Sequence, residues 1–255
     1  MKLVKAHYEI LNPNINDPKV VKNIYKQIEQ AGRTCYKSED KITDVSAEKF
    51  VRAIAKSNHE AMLEHASMTV RFVVDRGVSH EIVRHRLSSF AQESQRYCNY
   101  SNDKFGKEVC FIIPFWLEKE LQTDYHTMEY DAIWQHLVFD KKIDSKIQEK
   151  IDAMSDSERQ AIEWKLGCEV AESVYLSMLE SGATPQEART VLPNSTKTEI
   201  IMTANMREWR HFFRLRALGQ TGAPHPQMLE IAKPLYEECK EKLPALFGDL
   251  ERVDD

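Results

Sequence analysis

Apolar and polar residues alternate along this chain in two rhythms. From Pro18 the apolar positions Val20, Val21, Ile24, Tyr25, Ile28 and Ala31 recur at helical spacing, which predicts a helix with Asp17 as its N-cap. A shorter helix is predicted from Ser46, with Phe50, Val51, Ile54 and Ala55 on one stripe. The period then falls to two. Met68, Val70, Phe72 and Val74 alternate with Thr69, Arg71 and Asp75, the pattern of a half-buried strand. Gly77 reads as the end of that strand, and Val78–Arg86 as a short helix.

The remaining pattern predicts strands over residues 1–11, 109–113 and 195–204. Long helical segments are predicted over 115–139 and 157–181, and two more helices over 206–218 and 225–242. Ser181-Gly182 with Pro185 beyond is a stop signal for the second long helix. The order is not a regular alternation of strand and helix. It implies an α+β fold, a mixed or antiparallel β-sheet packed with long helices, and 255 residues suffice for one large domain or two small ones.

Composition narrows the function. Hydrophobic residues at 42% and charged residues at 29% are ordinary for a soluble globular protein. A net charge of −5 gives no support to nucleic-acid or anionic-membrane binding. Five scattered cysteines with no C-x-x-C pair suit a reducing compartment. Met1–Leu11 lacks the apolar core of a signal peptide, and no run reaches the ~18 apolar residues of a spanning helix. A cytoplasmic protein is expected.

Against this acidic background, two arginine groups stand out. Arg84, Arg86 and Arg96 fall within thirteen residues that also hold His85, Ser88, Ser89 and Ser94. Arginine forks and serine hydroxyls together suit phosphate or carboxylate oxygens, so the stretch reads as a binding site for an anionic small molecule. The second group is Arg207, Arg210, Arg214 and Arg216. Trp209, Phe212, Phe213 and Arg216 share one helical stripe, which places Arg216 at a core position. Such a guanidinium either meets an anion, pairs with a structural carboxylate or snorkels past the aromatics. Arg207, His211 and Arg214 form the opposite, polar stripe.

Other candidates carry less. His80 and His85 are five residues apart, about 140° around an ideal helix, where H-E-x-x-H needs four. His59-Glu60 with Glu64-His65 also has the wrong spacing, so no catalytic metal is expected. Cys98 is the one thiol beside the first cluster, with no partner base identifiable, and reads as a packed thiol before a nucleophile. Arg189 near the end of a short helix is explained by the helix dipole alone.

These residues resemble the signature of the flavin-dependent thymidylate synthases, R-H-R, seven residues, then serine: Arg84-His85-Arg86, Leu87–Glu93, Ser94, with Arg96 beyond. His59-Glu60 and Glu64-His65 resemble the upstream H-E-x-x-x-E-H element of that family. Glu187–Pro193 is similar to its A-R-x-x-L-P segment. Asn205-Met206-Arg207, His211-Phe212-Phe213 and Leu215-Arg216 resemble its N-x-R…F…L-R helix, and His225-Pro226-Gln227 with Glu230-Ile231 its closing element. The resemblance implies a single domain over residues 1–255 and is strongest over residues 59–240.

The resemblance implies methylation of dUMP to dTMP, with methylenetetrahydrofolate as carbon donor and FAD, reduced by NADPH, as hydride carrier. It further implies a homotetramer with sites formed between subunits. Arg84, His85, Arg86, Gln92, Asn205, Arg207 and His211 would bind FAD. Glu81, Arg84, Gln92, Glu93, Ser94, Gln95, Arg96, Arg189 and Arg216 would bind dUMP. Arg216 would be the catalytic group, stabilising negative charge on the uracil without an enzyme nucleophile. Two other readings use the same arginines: a nucleotide-binding relative without turnover, and a flavin enzyme acting on uracil in RNA.

Overall fold

The structure, a computed structural model, describes residues 1–122 and 145–251. In chain order its strands are β1 (Lys2–Val4), β2 (His7–Asn12), β3 (Ser67–Asp75), β4 (Ser88–Gln92), β5 (Cys110–Ile112) and β6 (Lys197–Asn205). Its helices are α1 (Pro18–Tyr36), α2 (Ser46–Lys56), α3 (Arg76–Ile82), α4 (Glu118–Leu121), α5 (Ser145–Ala153), α6 (Asp156–Glu180), α7 (Pro185–Ala188), α8 (Met206–Arg216), α9 (Pro226–Lys242) and α10 (Pro244–Phe247). The described residues form two compact units, one within 6–92 and 198–255, the other within 1–5 and 93–197.

The larger unit is built on a four-stranded sheet of order β2-β3-β6-β4, in which β2 pairs antiparallel with β3 and β4 with β6. The alternation in β3 holds from Met68 to Phe72, and beyond it both faces are covered, Val73 and Asp75 being buried as well. Met68, Val70, Phe72 and Val74 are wholly buried, while Thr69 and Arg71 stay half-buried on the other face. Thr198, Ile200, Met202 and Ala204 of β6 are buried in the same way. On the opposite face Thr69 and Thr203 share a hydroxyl hydrogen bond of 2.9 Å, and Arg71 donates to Glu9 of β2 at 2.6 Å.

Helices cover the apolar face. Asp17 caps α1 by accepting from Lys19 N at 2.8 Å, and Pro18 occupies the first turn. Ile24, Tyr25 and Ile28 are buried in the core. Gly32 marks the close approach of α1 to α2: a Cβ there would lie 2.5 Å from the Phe50 ring. The acid Glu29 is wholly buried because Arg33 donates to it at 3.0 and 3.2 Å and Ser46 at 2.8 Å.

The smaller unit pairs β1 with β5 in parallel, Leu3 opposite Phe111. Its core gathers Tyr100, Val109, Phe111, Cys168, Tyr175 and Ala188. A capping box starts α6, with Ser155 N donating to Glu158 at 2.9 Å and Glu158 N to Ser155 Oγ at 3.3 Å. All five cysteines are free thiols. Among the described residues no helix is long and apolar enough to cross a membrane.

Four expectations change. The first strand divides into β1 and β2, which join different sheets. Asp75, not Gly77, ends β3: its carboxylate accepts from Val78 N at 2.7 Å and starts α3, with Gly77 inside that helix. The helix predicted to Arg86 stops at Ile82, so Arg84-His85-Arg86 lie in a turn, and the unpredicted β4 follows. The segment predicted as helical over 115–139 begins with a 3-10 turn at Phe115–Leu117 and α4, and its remainder lies outside the described residues.

Arg210 on α8 ties this unit to its own C-terminal turn. It is wholly buried, donates to Glu60 at 2.7 Å and to both oxygens of Asp249 at 2.6 and 2.7 Å, and also donates to Leu246 O. Burial alone would raise the Glu60 and Asp249 carboxyls, but the arginines outweigh it and hold both below the usual value. Removing one member of such a set strands the others. Arg210→Met is expected to lose about 3–5 kcal/mol of stability, read as a fall in melting temperature. A change below about 1 kcal/mol would show that the cluster does not hold the C-terminal turn.

Candidate functional site

In the larger unit the sequence-predicted residues converge on α3, the turn after it and α8. Asn205 is the N-cap of α8, accepting from Glu208 N at 2.9 Å, and this sets the helix orientation. Trp209, Phe212 and Phe213 are wholly buried, so the last turn presents Arg216 at the margin of the core. Its side chain is 21% exposed. Of the alternatives left open for Arg216, the structure shows a carboxylate partner. The guanidinium donates to Glu81 Oε2 at 2.7 Å and to Glu81 O at 3.4 Å. Its Nε donates to His85 Nε2 at 3.2 Å. Arg216 is thereby clamped by a residue of α3 and one of the turn.

His85 is the buried member of the R-H-R signature, 3% exposed, with its ring 4.9 Å from that of Phe212 and 5.6 Å from that of His211. Its Nδ1 lies 3.3 Å from Glu208 Oε1. Burial, reinforced by the charges of Arg216 and His211, pushes the His85 imidazole down to about 4. It is therefore neutral at pH 7. Burial also raises the Glu208 carboxyl.

Arg84 and Arg86, on either side of His85, are exposed. Among the described residues their side chains have no acidic partner, whereas every arginine of α8 has one. Arg207 pairs with Glu64 at 2.6 Å and Arg214 with Glu60 at 2.7 Å. The two glutamates of the upstream motif are thus arginine holders. Gln92, last in β4, donates its amide to Ser79 Oγ at 2.9 Å and Thr198 Oγ1 at 3.3 Å. That leaves its amide oxygen as the group it can offer a ligand. His211 is exposed.

The other predicted nucleotide residues belong to the smaller unit. Glu93 accepts from Lys197 at 3.0 Å and from the Tyr100 hydroxyl at 3.0 Å. Ser94 Oγ accepts from Arg96 N at 3.3 Å, a local turn, and Gln95 is buried. The Arg96 guanidinium lies 5.4 Å from the Tyr97 ring centroid. Among the described residues, neither Arg96 nor Arg189 pairs with an acid. The Cys98 thiol is pushed up by burial and by Glu93, opposite to what activates a nucleophile.

His85, Glu208 and His211 also bring their ligand atoms within 4.8 Å of one another, a spacing that could hold a metal ion. The hydrogen bonds argue for another use. His85 Nε2 accepts from Arg216, so that lone pair is already engaged by a guanidinium, whose positive charge also opposes a cation beside it. The sequence reading missed Glu208 and the burial of Arg210. Signals existed for both. Glu208 stands three residues after a capping Asn, the position of a capping-box acid. Arg210 lies on the i, i+3, i+4, i+7 row of Met206, Trp209 and Phe213.

A profile of the family described as thymidylate synthase complementing protein matches residues 19–245. A protein of Corynebacterium aurimucosum named flavin-dependent thymidylate synthase is 31% identical over 228 residues, covering 87% of this chain and 78% of that one. One of Mycobacterium tuberculosis with the same name is 32% identical over 231 residues, covering 88% and 78%. Among solved structures, a UMP/dUMP methylase, PolB, from Streptomyces cacaoi bound with 5-Br UMP matches with a TM-score of 0.66. It is 21% identical and covers 97% of this chain and 95% of that one, which establishes a likeness of fold.

The buried neutral His85 makes stability depend on pH in a definite direction. Its folded value, about 4, lies below the reference value of 6.5, so its contribution is present above 6.5 and is lost as the pH falls toward 4. The loss is on the order of 3 kcal/mol. His85→Gln should flatten the stability profile between those limits, measured by urea unfolding at successive pH values. An unchanged slope would mean that His85 is solvated.

Proposed function

The chain belongs to the family of thymidylate synthase complementing proteins, and we propose on that premise that it methylates dUMP to dTMP as a flavin-dependent thymidylate synthase. The observation that carries the reading is the division among the arginines. Those of α8 are matched one by one with carboxylates, while Arg84 and Arg86 of the signature stand exposed with no acid beside them. Unmatched guanidinium groups suit phosphate-bearing ligands. A flavin dinucleotide fits Arg84 and Arg86 through its diphosphate, with Asn205, Arg207, His211 and the amide oxygen of Gln92 as further contacts; His85, assigned to FAD by the resemblance, is buried with both ring nitrogens engaged and acts on the site through Arg216 instead. When bound, the reduced flavin supplies a hydride, NADPH being the reductant and methylenetetrahydrofolate the carbon source.

The protein's own part is electrostatic. By the family resemblance the dUMP contacts are Glu81, Arg84, Gln92, Glu93, Ser94, Gln95, Arg96, Arg189 and Arg216. Arg216 spends its Nε on His85 and part of its fork on Glu81, leaving N–H groups on both terminal nitrogens for a ligand. A cation fixed in this way stabilises negative charge at N3 of the uracil without reorganising during the reaction. Ring activation then needs no covalent attack at C6, in keeping with the raised Cys98 thiol. The reading carries with it a cytoplasmic homotetramer whose sites form between protomers.

The purified protein is expected to be yellow or to take up FAD, to oxidise NADPH, and to methylate dUMP when the folate is supplied. A protein that cannot be loaded with FAD would sink the proposal. Binding of dUMP without turnover would favour a non-catalytic relative, and preference for RNA over dUMP in a head-to-head assay would move the activity to RNA. Arg216→Ala is expected to cut turnover by about 10²–10³-fold. Cys98→Ser should retain activity, and its loss would restore the nucleophile reading.

A further inference from the structure

The carboxylate of Glu208 has no place in the function proposed above, yet it is buried within the same network. It is 6% exposed, in the first turn of α8, and does not reach back to its own N-cap as a capping-box acid does. Its Oε1 instead lies 3.3 Å from His85 Nδ1. On the far side of the ring, His85 Nε2 receives the Nε–H of Arg216 at 3.2 Å. Arginine has donors and no acceptor, so this contact exists only while Nε2 carries a lone pair. A neutral imidazole must then keep its proton on Nδ1, where among the described residues Glu208 is the one placed to accept it.

We propose that Glu208 is a positioning residue: by accepting from His85 Nδ1 it fixes the tautomer whose Nε2 receives Arg216, and so holds the guanidinium in its working orientation beside Glu81. The arrangement has the logic of a carboxylate that orients a catalytic histidine, with an arginine as the group finally aimed. The other tautomer would set Nε2–H against the Arg216 Nε–H and leave Nδ1 a bare acceptor facing a carboxylate. Both contacts would become repulsive in a buried site, where water cannot replace them. The packing supports the assignment. The ring is in contact with Phe212 and His211, so it cannot swing to a new partner without disturbing the core. The tautomer claim stands on geometry alone, while its effect on turnover rests on the proposed dUMP methylation.

The two claims are tested separately. Long-range ¹H–¹⁵N spectra of the full chain labelled in histidine, with the His85 signals assigned from His85→Gln, should show the proton on Nδ1. Glu208→Leu should move it to Nε2, and Glu208→Gln, whose amide oxygen still accepts, should keep it on Nδ1. A proton on Nε2 in the unaltered protein would overturn the proposal, as would an unchanged Leu variant. In the dUMP assay Glu208→Leu should lower kcat by about tenfold or more, with KM for dUMP within about threefold, and Glu208→Gln should restore most of it. A full kcat in the Leu variant would refute the positioning role. If no form of the protein methylates dUMP while the spectra behave as stated, the functional reading fails and the tautomer assignment stands.

Discussion

The cost of burying guanidinium groups governs this structure. Helix α8 carries arginines on or beside the stripe that Trp209, Phe212 and Phe213 commit to the core. Arg210 is wholly buried, and unpaired there it would cost several kcal/mol, so it has drawn two carboxylates toward it, while the half-exposed Arg207 and the part-exposed Arg214 and Arg216 add pairs at the margin. Glu60 comes from the 3-10 turn before β3, Asp249 from the C-terminal turn, Glu64 from the same 3-10 turn and Glu81 from α3. The positions of these segments around α8 follow from that compensation as much as from apolar packing. A network of this kind specifies one arrangement, because shifting any element strands a charge.

The same rule separates structural from functional arginines. Where charge is matched inside the protein, as at Arg210, the residue is spent on the fold. Where it is left unmatched at exposed positions, as at Arg84 and Arg86, the cation is available to a ligand of the kind proposed above. Arg216 is intermediate. It is held firmly enough by Glu81 and His85 to be preorganised, yet is part-exposed and has donors to spare. That combination is what electrostatic catalysis requires of a group that must not move during the reaction.

The sequence made much of this legible because its periodicities are clean. The alternation at Met68–Val74 and the helical spacing from Pro18 reappear almost unchanged. The misses share a cause. β4 is the polar, half-exposed strand Ser88–Gln92, without the alternation that announces a buried face. The helix carried through to Arg86 failed because Asp75 starts α3 early and the chain must turn before β4. One strand over residues 1–11 became two because the pairing partners, β5 and β3, lie far along the chain. A stripe drawn through Trp209, Phe212, Phe213 and Arg216 leaves out Arg210, whereas the apolar face is wide enough to enclose both rows.

What the sequence by itself determined is the local part: the helix from Pro18, the alternation that starts at Met68, the arginine- and serine-rich stretch at Arg84–Arg96, and which family carries those spacings. These are properties of neighbours along the chain, and local spacing encodes them. The tertiary structure decided the pairings. That Arg216 meets Glu81 and not water, that Glu60 serves Arg210 and Arg214, and that His85 lies between Glu208 and Arg216 are contacts across more than a hundred residues. A side chain's charge is written at its own position, but its partner, its protonation and its tautomer depend on what folding brings against it.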